Sequence, residues 1–321
     1  MTITSRRTIG RSDLAVSPIC LGTNVFGWTA DEATSFAVLD AYVSMGGNFI
    51  DTANVYSAWV PGLSGGESEA VIGRWLAKRG RRDDIVIATK VGKAGKPDGP
   101  FERGLSRELI RAGVEGSLRR LQTDYIDLYY SHEDDPDTPL DETAAAFDEL
   151  VREGKVRVLG ASNFSADRLQ AALDVSAAEG LARYEILQPL YSLVEREYEG
   201  ELSGTCIAND LSVAPYYALA RGFLTGKYRP GQPLPDSPRS VAISDLYMND
   251  RGWSVLRAVD VVAAAHGTSN GAVALAWLCA KPAVVAPIAS ATSVEQVVGL
   301  ADAAALTLTD DEVGTLDAAG S

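Results

Sequence analysis

The sequence predicts an α/β protein in which residues 1–321 form a single domain, a (β/α)8 TIM barrel with an N-terminal β-hairpin cap and a C-terminal helix. Its 321 residues contain no long polar linker, and barrels of this class often have such a length. Hydrophobic residues make up 46% of the chain and charged residues 22%, the balance of a globular protein. Short apolar runs alternate with segments of helical spacing, which favours a closed barrel over a doubly wound sheet.

Short apolar runs bounded by turn residues predict the strands. Residues 2–16 predict a hairpin around a Gly-Arg-Ser-Asp turn, and we expect it to cover one end of the barrel. A Gly46-Gly47 breaker precedes the run that ends in Asp51. The eight barrel strands are predicted at residues 18–23, 48–51, 85–90, 125–131, 156–162, 185–188, 211–217 and 284–288.

Helical spacing and helix boundary residues predict the helices between these strands. Gly46 and Gly154 are expected to stop two of them, and Ser165 to cap the start of another. Four prolines between residues 230 and 238 predict a loop. The helices are predicted at residues 31–45, 67–78, 106–121, 140–153, 166–179, 252–265 and 271–279, with a last one at 309–319.

Charge and composition exclude several classes of protein. The formal charge of -14, from 43 acidic and 29 basic residues, disfavours a general binder of nucleic acid or of anionic membranes. No apolar run reaches the length of a membrane span, and the N-terminus has no signal-peptide pattern, so a cytoplasmic location is expected. Three widely spaced cysteines argue against a disulfide framework and against a zinc site, so no metal is expected.

Three successive predicted strands end in side chains suited to proton transfer. Asp51 ends the second strand, with Tyr56 shortly after it, while Lys90 ends the third and His132 follows the fourth. Consecutive strands of a barrel are neighbours, so these side chains should open on the same face. An Asp at a strand end also commonly caps the next turn, so the hypothesis depends on the whole set.

Seven segments that follow one another along the chain carry a family resemblance. They are NFIDTANVYS, GGESEAVIGRWL, VIATKVG, SLRRLQTDYIDLYYSH, GKVRVLGASNF, LQPLYSL and LARGFLTGKY, and together they resemble the aldo-keto reductases. They are most similar to the bacterial branch that also resembles potassium-channel β subunits. The resemblance implies a (β/α)8 barrel enzyme that reduces small-molecule carbonyl compounds, aldehydes or ketones, with NADP(H).

The resemblance also implies roles for the four strand-end side chains. Tyr56 would be the general acid, Asp51 and Lys90 would tune it, and His132 would orient the substrate carbonyl. Because a nearby ammonium stabilises a phenolate, we expect Lys90 to ease the ionisation of Tyr56. The other histidine, His266, is expected to cap the C-terminus of a helix.

The resemblance further implies a cofactor site at the later strand ends. The ends of the fifth and sixth strands would bind the nicotinamide carboxamide, an aromatic ring would stack on the nicotinamide, and the segment LARGFLTGK would bind the pyrophosphate. From the residues alone, a helix cap, a core aromatic and an ordinary glycine-rich turn remain open for these three features. The implied residues are Ser162, Asn163, Gln188, Tyr216, Leu219, Gly222, Leu224, Gly226, Lys227, Ser290, Thr292 and Gln296.

The chain departs from the family where the adenosine 2′-phosphate would bind. Many relatives carry Arg or Lys there, whereas this chain has Ser290 and Thr292 and no cation. Tyr217 also replaces the usual small residue. The resemblance implies NADP as the cofactor. Because a phosphate without a cationic partner loses its strongest contacts, NAD is also possible.

The substrate and the class of function leave alternatives open. Trp28, Trp59 and Phe101 are expected to form an aromatic wall for the substrate, although loop aromatics also serve as plain packing. Lys90 at a strand end would also suit a Schiff-base aldolase. A redox-sensing, NADP(H)-binding subunit similar to the channel β subunits is a third hypothesis. The sequence does not determine the natural substrate or the oligomeric state.

Overall fold

An antiparallel hairpin precedes the barrel, as predicted. The computed structural model describes residues 2–96 and 99–320. In it, β1 (Arg7–Thr8) pairs with β2 (Ala15–Val16). Ile9 and Leu14, which flank the turn, pack with Cys20, Phe49 and Val86 in one apolar cluster under the barrel. The hairpin therefore closes one end of the barrel.

Eight parallel strands form one sheet. Each hydrogen-bonded pair joins consecutive strands of the chain, except the pair between the last strand and the first. This order is the one expected of a (β/α)8 barrel, and the predicted fold class is confirmed. The strands are β3 (Cys20–Gly22), β4 (Phe49–Asp51), β5 (Val86–Val91), β6 (Ile126–Ser131), β7 (Val156–Ser162), β8 (Tyr184–Gln188), β9 (Ser212–Val213) and β10 (Ile288–Ser290).

Backbone hydrogen bonds close the sheet between β9 and the segment that leads into β10. The amide of Val285 donates to the Val213 carbonyl at 2.8 Å, and that of Ile288 donates to the Pro215 carbonyl at 2.8 Å. On its other edge β10 pairs with β3, with Ile288 opposite Cys20. The eight strands therefore close into a barrel.

Helices cover the outside of the barrel, and several have the predicted caps. Ser165 accepts a hydrogen bond from the amide of Arg168 at the start of one helix. Within the described part of the chain the α-helices are α1 (Glu32–Ser44), α2 (Glu67–Arg79), α3 (Arg107–Leu121), α4 (Leu140–Arg152), α5 (Ala166–Glu179), α6 (Glu201–Ala208), α7 (Ser240–Tyr247), α8 (Asp250–His266), α9 (Asn270–Cys279), α10 (Val294–Ala305) and α11 (Asp310–Gly320).

The predicted elements differ from the structure in several places. The seventh strand, predicted at 211–217, spans only Ser212–Val213. The eighth strand, predicted at 284–288, lies at Ile288–Ser290, because residues 284 and 285 pair with β9 only through isolated contacts. The short helices α6 and α7 were not predicted. Each has eight residues, little more than two turns, which is too short for an apolar period to be recognised in the sequence. No helix in the described ranges has the length and apolar character needed to cross a bilayer.

Candidate active site

A large cavity opens at the carboxyl ends of the barrel strands. Its volume is about 1420 Å³, and its lining includes the last residues of three strands: Asp51, Ser162 and Gln188. The carboxyl face is where a barrel of this kind carries its functional groups, because the loops that follow the strands meet there. The cavity exceeds the volume of an ordinary small-ligand pocket and can hold an extended ligand together with a second molecule.

Asp51 and Lys90 form a buried ion pair at the floor of this cavity. The Lys90 Nζ lies 2.7 Å from Asp51 Oδ2, and the two side chains are 0% and 2% exposed. Lys90 Nζ also donates to the Thr52 carbonyl at 2.7 Å and to the Tyr56 hydroxyl at 2.9 Å. Three acceptors therefore surround the three N–H groups of the ammonium and fix its position.

Tyr56 reaches the ion pair from the loop that follows β4. Its hydroxyl donates to Asp51 Oδ2 at 3.1 Å. Its ring lies edge-on to His132, with ring centroids 6.3 Å apart. The adjacent Ser57 has φ of 74°, an uncommon value for a residue other than glycine, and such strained positions cluster at functional sites. The structure thus brings together all four residues predicted from the strand ends.

The pKa of Tyr56 is shifted in the direction opposite to the one expected from the sequence. Burial raises the pKa of this phenol well above its ordinary value, and the negative charge of Asp51 raises it further. The loss of solvent around the phenol and the nearby carboxylate outweigh the effect expected of the Lys90 ammonium. Tyr56 is therefore a neutral phenol at neutral pH, a group that can donate a proton.

Burial also sets the charge states of Lys90 and His132. It lowers the pKa of Lys90, while the Asp51 carboxylate acts in the opposite direction. It lowers the pKa of His132 to well below the usual value, and the charges of Lys90 and then Lys93 add to this effect. His132 is therefore a neutral imidazole with a single N–H donor, and its buried Nδ1 has no partner among the described residues.

An amide network connects the four residues to the ends of β7 and β8. Gln188 Nε2 donates to Asp51 Oδ1 at 2.8 Å, so it occupies the second oxygen of that carboxylate. Asn163 Nδ2 donates to the His132 carbonyl at 2.8 Å, and Asn163 Oδ1 accepts from the Tyr216 hydroxyl at 2.8 Å. Both amides and Tyr216 line the cavity. These side chains hold the floor of the cavity in place and also present polar groups to a ligand.

The segment predicted to bind a pyrophosphate divides into two groups. Leu219, Gly222 and Lys227 line the cavity. Gly222 has φ of 109°, and a Cβ there would lie 3.8 Å from Lys227 Nζ. A ligand can therefore approach the backbone beside a lysine ammonium.

Leu224 and Gly226 are not among the residues that line the cavity, so their roles as ligand-binding residues stay a prediction. The side chain of Leu224 is fully buried in the apolar core. Gly226 ends the 220–225 turn in a left-handed conformation, where a Cβ would lie 2.9 Å from the side-chain nitrogen Nδ2 of Asn270. Both residues belong to the part of the loop that does not line the cavity.

Three cations line the cavity around this segment. Arg221, Lys227 and Arg239 all contribute to the lining, and none of them forms an ion pair with a carboxylate of the described residues. The guanidinium of Arg221 lies 4.0 Å over the Tyr217 ring, and that of Arg239 lies 5.6 Å from the Trp28 ring. Sequence reasoning missed Arg239, although a lone cation at the end of the proline-rich loop could have drawn attention to it. This part of the cavity suits an anionic ligand.

A second polar region lies where β10 leads into α10. Ser293 caps α10, and Ser290, Thr292 and Gln296 line the cavity. Their polar groups are engaged: Ser290 Oγ donates to Asn24 Oδ1 at 2.8 Å, and the Thr292 amide donates to Gln296 Oε1 at 2.8 Å. The exposed carboxylate of Glu295 also lines the cavity here.

Two of the three predicted wall aromatics lie at the cavity. Trp28 and Trp59 line it, with ring centroids 5.8 Å apart, and the Trp59 ring is edge-on to Tyr56 at 6.1 Å. Phe101 is not among the residues that line it, and its role at the substrate stays a prediction. Its ring packs under the Arg120 guanidinium and against Gly65, because its loop turns toward α2 and α3.

The remaining polar predictions lie away from the cavity. His266 is in the last turn of α8, and its Nε2 lies 2.7 Å from Glu312 Oε1 on α11, while Gly267 supplies the cap. Cys20 and Cys206 are buried and Cys279 is partly buried, all three as free thiols. In the described ranges, no three His, Cys, Asp or Glu side chains are grouped as metal ligands.

Comparison with known sequences gives consistent results. The profile described as the aldo/keto reductase family matches residues 18–321. The uncharacterized oxidoreductase YrpG of Bacillus subtilis is 39% identical over 90% of this chain and 87% of its own. Norsolorinic acid reductase B of Aspergillus parasiticus is 34% identical over 95% of this chain and 81% of its own. The protein tas of Escherichia coli is 32% identical over 97% and 96% of the two chains.

Proposed function

Because this chain belongs to the aldo/keto reductase family and is therefore an oxidoreductase, we propose that it reduces an aldehyde or ketone to an alcohol. The hydride comes from NADPH, with NADH as a weaker alternative, and the proton comes from Tyr56. One observation carries the proposal. The Tyr56 hydroxyl faces a cavity of about 1420 Å³ and is hydrogen-bonded to both members of a buried Lys90–Asp51 pair.

Tyr56 supplies the proton. Its raised pKa, caused first by burial and then by Asp51, keeps the phenol protonated until an alkoxide, a stronger base, begins to form on the substrate. The Lys90 ammonium, 2.9 Å from the phenol oxygen, stabilises the negative charge that the phenol takes on as the proton leaves. Asp51 keeps that ammonium in position.

His132 orients the substrate. As a neutral imidazole it offers one N–H donor and adds no charge beside Lys90. Its ring is edge-on to that of Tyr56 at 6.3 Å, so both residues flank the same part of the cavity. A carbonyl oxygen bound between them is polarised from two sides, which favours attack at the carbonyl carbon.

The cavity has the polar groups that a nicotinamide dinucleotide requires. When bound, the cofactor supplies the hydride. Asn163, Gln188 and Tyr216 would hold its nicotinamide end beside Tyr56, since all three line that part of the cavity. Lys227 and Arg239 would bind the pyrophosphate, because they are cations without carboxylate partners in the described chain. The φ of 109° at Gly222 leaves room for phosphate oxygens near Lys227.

The alternatives have weaker support. A Schiff-base aldolase needs a free amine, whereas Lys90 Nζ is surrounded by three acceptors and is fully buried. A cofactor-sensing subunit would bind the dinucleotide without turnover, and no feature of the cavity favours it over catalysis.

The test is the variant Tyr56→Phe, which keeps the ring and removes the proton. We expect cofactor binding to change little and turnover of a model aldehyde to fall at least ~10²-fold, the effect of a lost general acid. Turnover is followed by loss of reduced-nicotinamide absorbance, and cofactor binding by fluorescence quenching. Phe101→Leu, which changes an aromatic residue that is not part of the cavity lining, is the control and should retain most activity. Near-normal turnover by Tyr56→Phe would contradict the role of Tyr56. If the wild type binds the cofactor but turns over no aldehyde, the sensing subunit is favoured.

A further inference from the structure

A lysine of the loop after β5 lies on the substrate side of the cavity. Lys93 lines the cavity together with Trp28, Trp59 and His132, three positions beyond the buried Lys90. Its charge is felt at His132, where it helps to lower the pKa of the imidazole after burial and Lys90. Lys93 lies in the loop after β5, whereas Arg221 and Lys227 lie in the segment after β9, and the proposed cofactor contacts do not use Lys93.

The ammonium of Lys93 has only a weak partner. Its Nζ is 4.0 Å from Glu133 Oε2, at the limit of an ion pair, and its side chain is 46% exposed. The other oxygen of that carboxylate is 2.9 Å from Arg103 Nε. One carboxylate thus faces two cations, and Arg103 makes the closer contact. Lys93 therefore has donors available for a ligand.

The neighbouring Lys96 adds positive charge to the same loop. Its Nζ donates to the carbonyls of Val60 and Leu63, which are neutral acceptors, so its charge is not cancelled by these contacts. Lys96 also lines the cavity and ties this loop to the segment after Trp59. The chain as a whole carries a formal charge of -14, so the positive charge of this region is opposite in sign to the net charge of the protein.

We propose that the preferred substrates are aldehydes or ketones that carry a carboxylate, and that Lys93 binds this carboxylate. The inference rests on the proposed reductase function. The carbonyl group lies at Tyr56 and His132, between the tryptophans and Lys93, and the carboxylate takes no part in the reaction. Hydride adds to the carbonyl carbon and the Tyr56 proton to its oxygen. The Lys93 ammonium is a compact point charge on a flexible stem with three N–H donors, which can pair with a carboxylate oxygen.

The experiment compares two substrates that differ in charge but little in size. These are 4-carboxybenzaldehyde and its neutral methyl ester, methyl 4-formylbenzoate, assayed with NADPH at low ionic strength. The variant Lys93→Met removes the charge and keeps the chain length, and Lys93→Glu reverses the charge. Lys78→Met, which changes an exposed lysine of α2 that does not line the cavity, is the matched control.

We expect wild type to favour the acid over the ester by roughly 5- to 10-fold in kcat/KM, the effect of one partly exposed charge-assisted contact. Lys93→Met should abolish this preference, Lys93→Glu should invert it, and Lys78→Met should retain it. Added salt should reduce it, because it screens the contact. An equal kcat/KM for acid and ester in wild type, or an equal loss for both in Lys93→Met, would overturn the inference and leave the reductase function intact. Failure to turn over either aldehyde would count against the reductase function itself.

Discussion

The chemistry of the site depends on two charged side chains, each of which would be costly to bury without the other. A carboxylate and an ammonium are each costly to bury, and here Asp51 and Lys90 offset that cost by pairing at 2.7 Å and by bonding to Thr52, Tyr56 and Gln188. Removal of one partner leaves the other as an uncompensated buried charge. The same contacts that fix the phenol therefore also contribute to stability.

We predict that Lys90→Met removes most activity and moves the alkaline limb of the remaining pH profile to higher pH. The Lys90 ammonium favours the phenolate form of Tyr56, so its loss adds to the rise in pKa that burial and Asp51 already cause. The variant should also lose roughly 3–5 kcal/mol of folding free energy. Measurement of kcat/KM against pH, on protein shown to be folded by circular dichroism, tests the coupling. An unchanged alkaline limb would contradict it.

At the scale of elements, glycines decide how closely two helices approach. A Cβ at Gly73 of α2 would lie 2.1 Å from the Arg120 carbonyl oxygen of α3, so the two backbones are in contact. By contrast, Gly314 of α11 has open space around its Cβ position. The two glycines have the same helical propensity and differ in their surroundings.

We predict that Gly73→Ala lowers the free energy of unfolding by about 1–3 kcal/mol, because α2 and α3 must separate. The matched variant Gly314→Ala should raise it by about 0.5–1 kcal/mol, since alanine is the better helix former and meets no neighbour. Urea unfolding of both variants measures the difference. A stabilised Gly73→Ala would mean that the two helices can move apart at little cost.

The turn between β10 and α10 is the element expected to choose between the two cofactors. It offers the hydroxyls of Ser290 and Thr292 and the start of a helix capped by Ser293, but no cation. Glu295 adds a carboxylate to the same lining. Neutral donors bind a phosphate with roughly half the strength of charged ones.

We therefore predict that NADPH is preferred over NADH by only about 10-fold in Kd, on the order of 1.4 kcal/mol. Thr292→Arg should widen this preference by adding a bidentate cation. Fluorescence titration of both reduced cofactors into wild type and the variant measures it, and Thr307→Arg, at an exposed threonine before α11 that does not line the cavity, is the control. A wild-type preference beyond a thousandfold, or one for NADH, would contradict the prediction.

At the scale of the whole molecule, the two ends of the barrel have different tasks. The hairpin β1–β2 seals the amino end, where Leu14 is 2% exposed and packs with the first residues of several strands. The cavity and all four of the residues proposed to take part in catalysis lie at the carboxyl end. Stability and chemistry should therefore respond separately to substitutions at the two ends.

We predict that Leu14→Ala lowers the free energy of unfolding by about 2–5 kcal/mol through the cavity it leaves, with kcat/KM unchanged well below the melting temperature. Thermal unfolding and an assay at low temperature measure the two effects. The control Leu234→Ala, at an exposed leucine, should change neither. Loss of activity in fully folded Leu14→Ala would show that the hairpin influences the cavity through the barrel.

The sequence by itself determined the order of the eight barrel strands, most of the helices between them and the four side chains at the strand ends. Apolar runs, glycine stops and serine caps act between near neighbours, so they are visible in the chain. In a parallel barrel consecutive strands are adjacent, and this rule alone places Asp51, Lys90 and His132 on one face.

Only the tertiary structure decided the environment of those groups. The upward shift of the Tyr56 pKa follows from burial, which no local pattern encodes. Gln188 reaches Asp51 across 137 positions of sequence, Arg239 reaches the cavity from a proline-rich loop, and the Phe101 ring packs beside the Arg120 guanidinium. These contacts depend on the paths of loops and on which side chains pack over the strand ends. Such long-range packing is fixed only when the whole barrel closes.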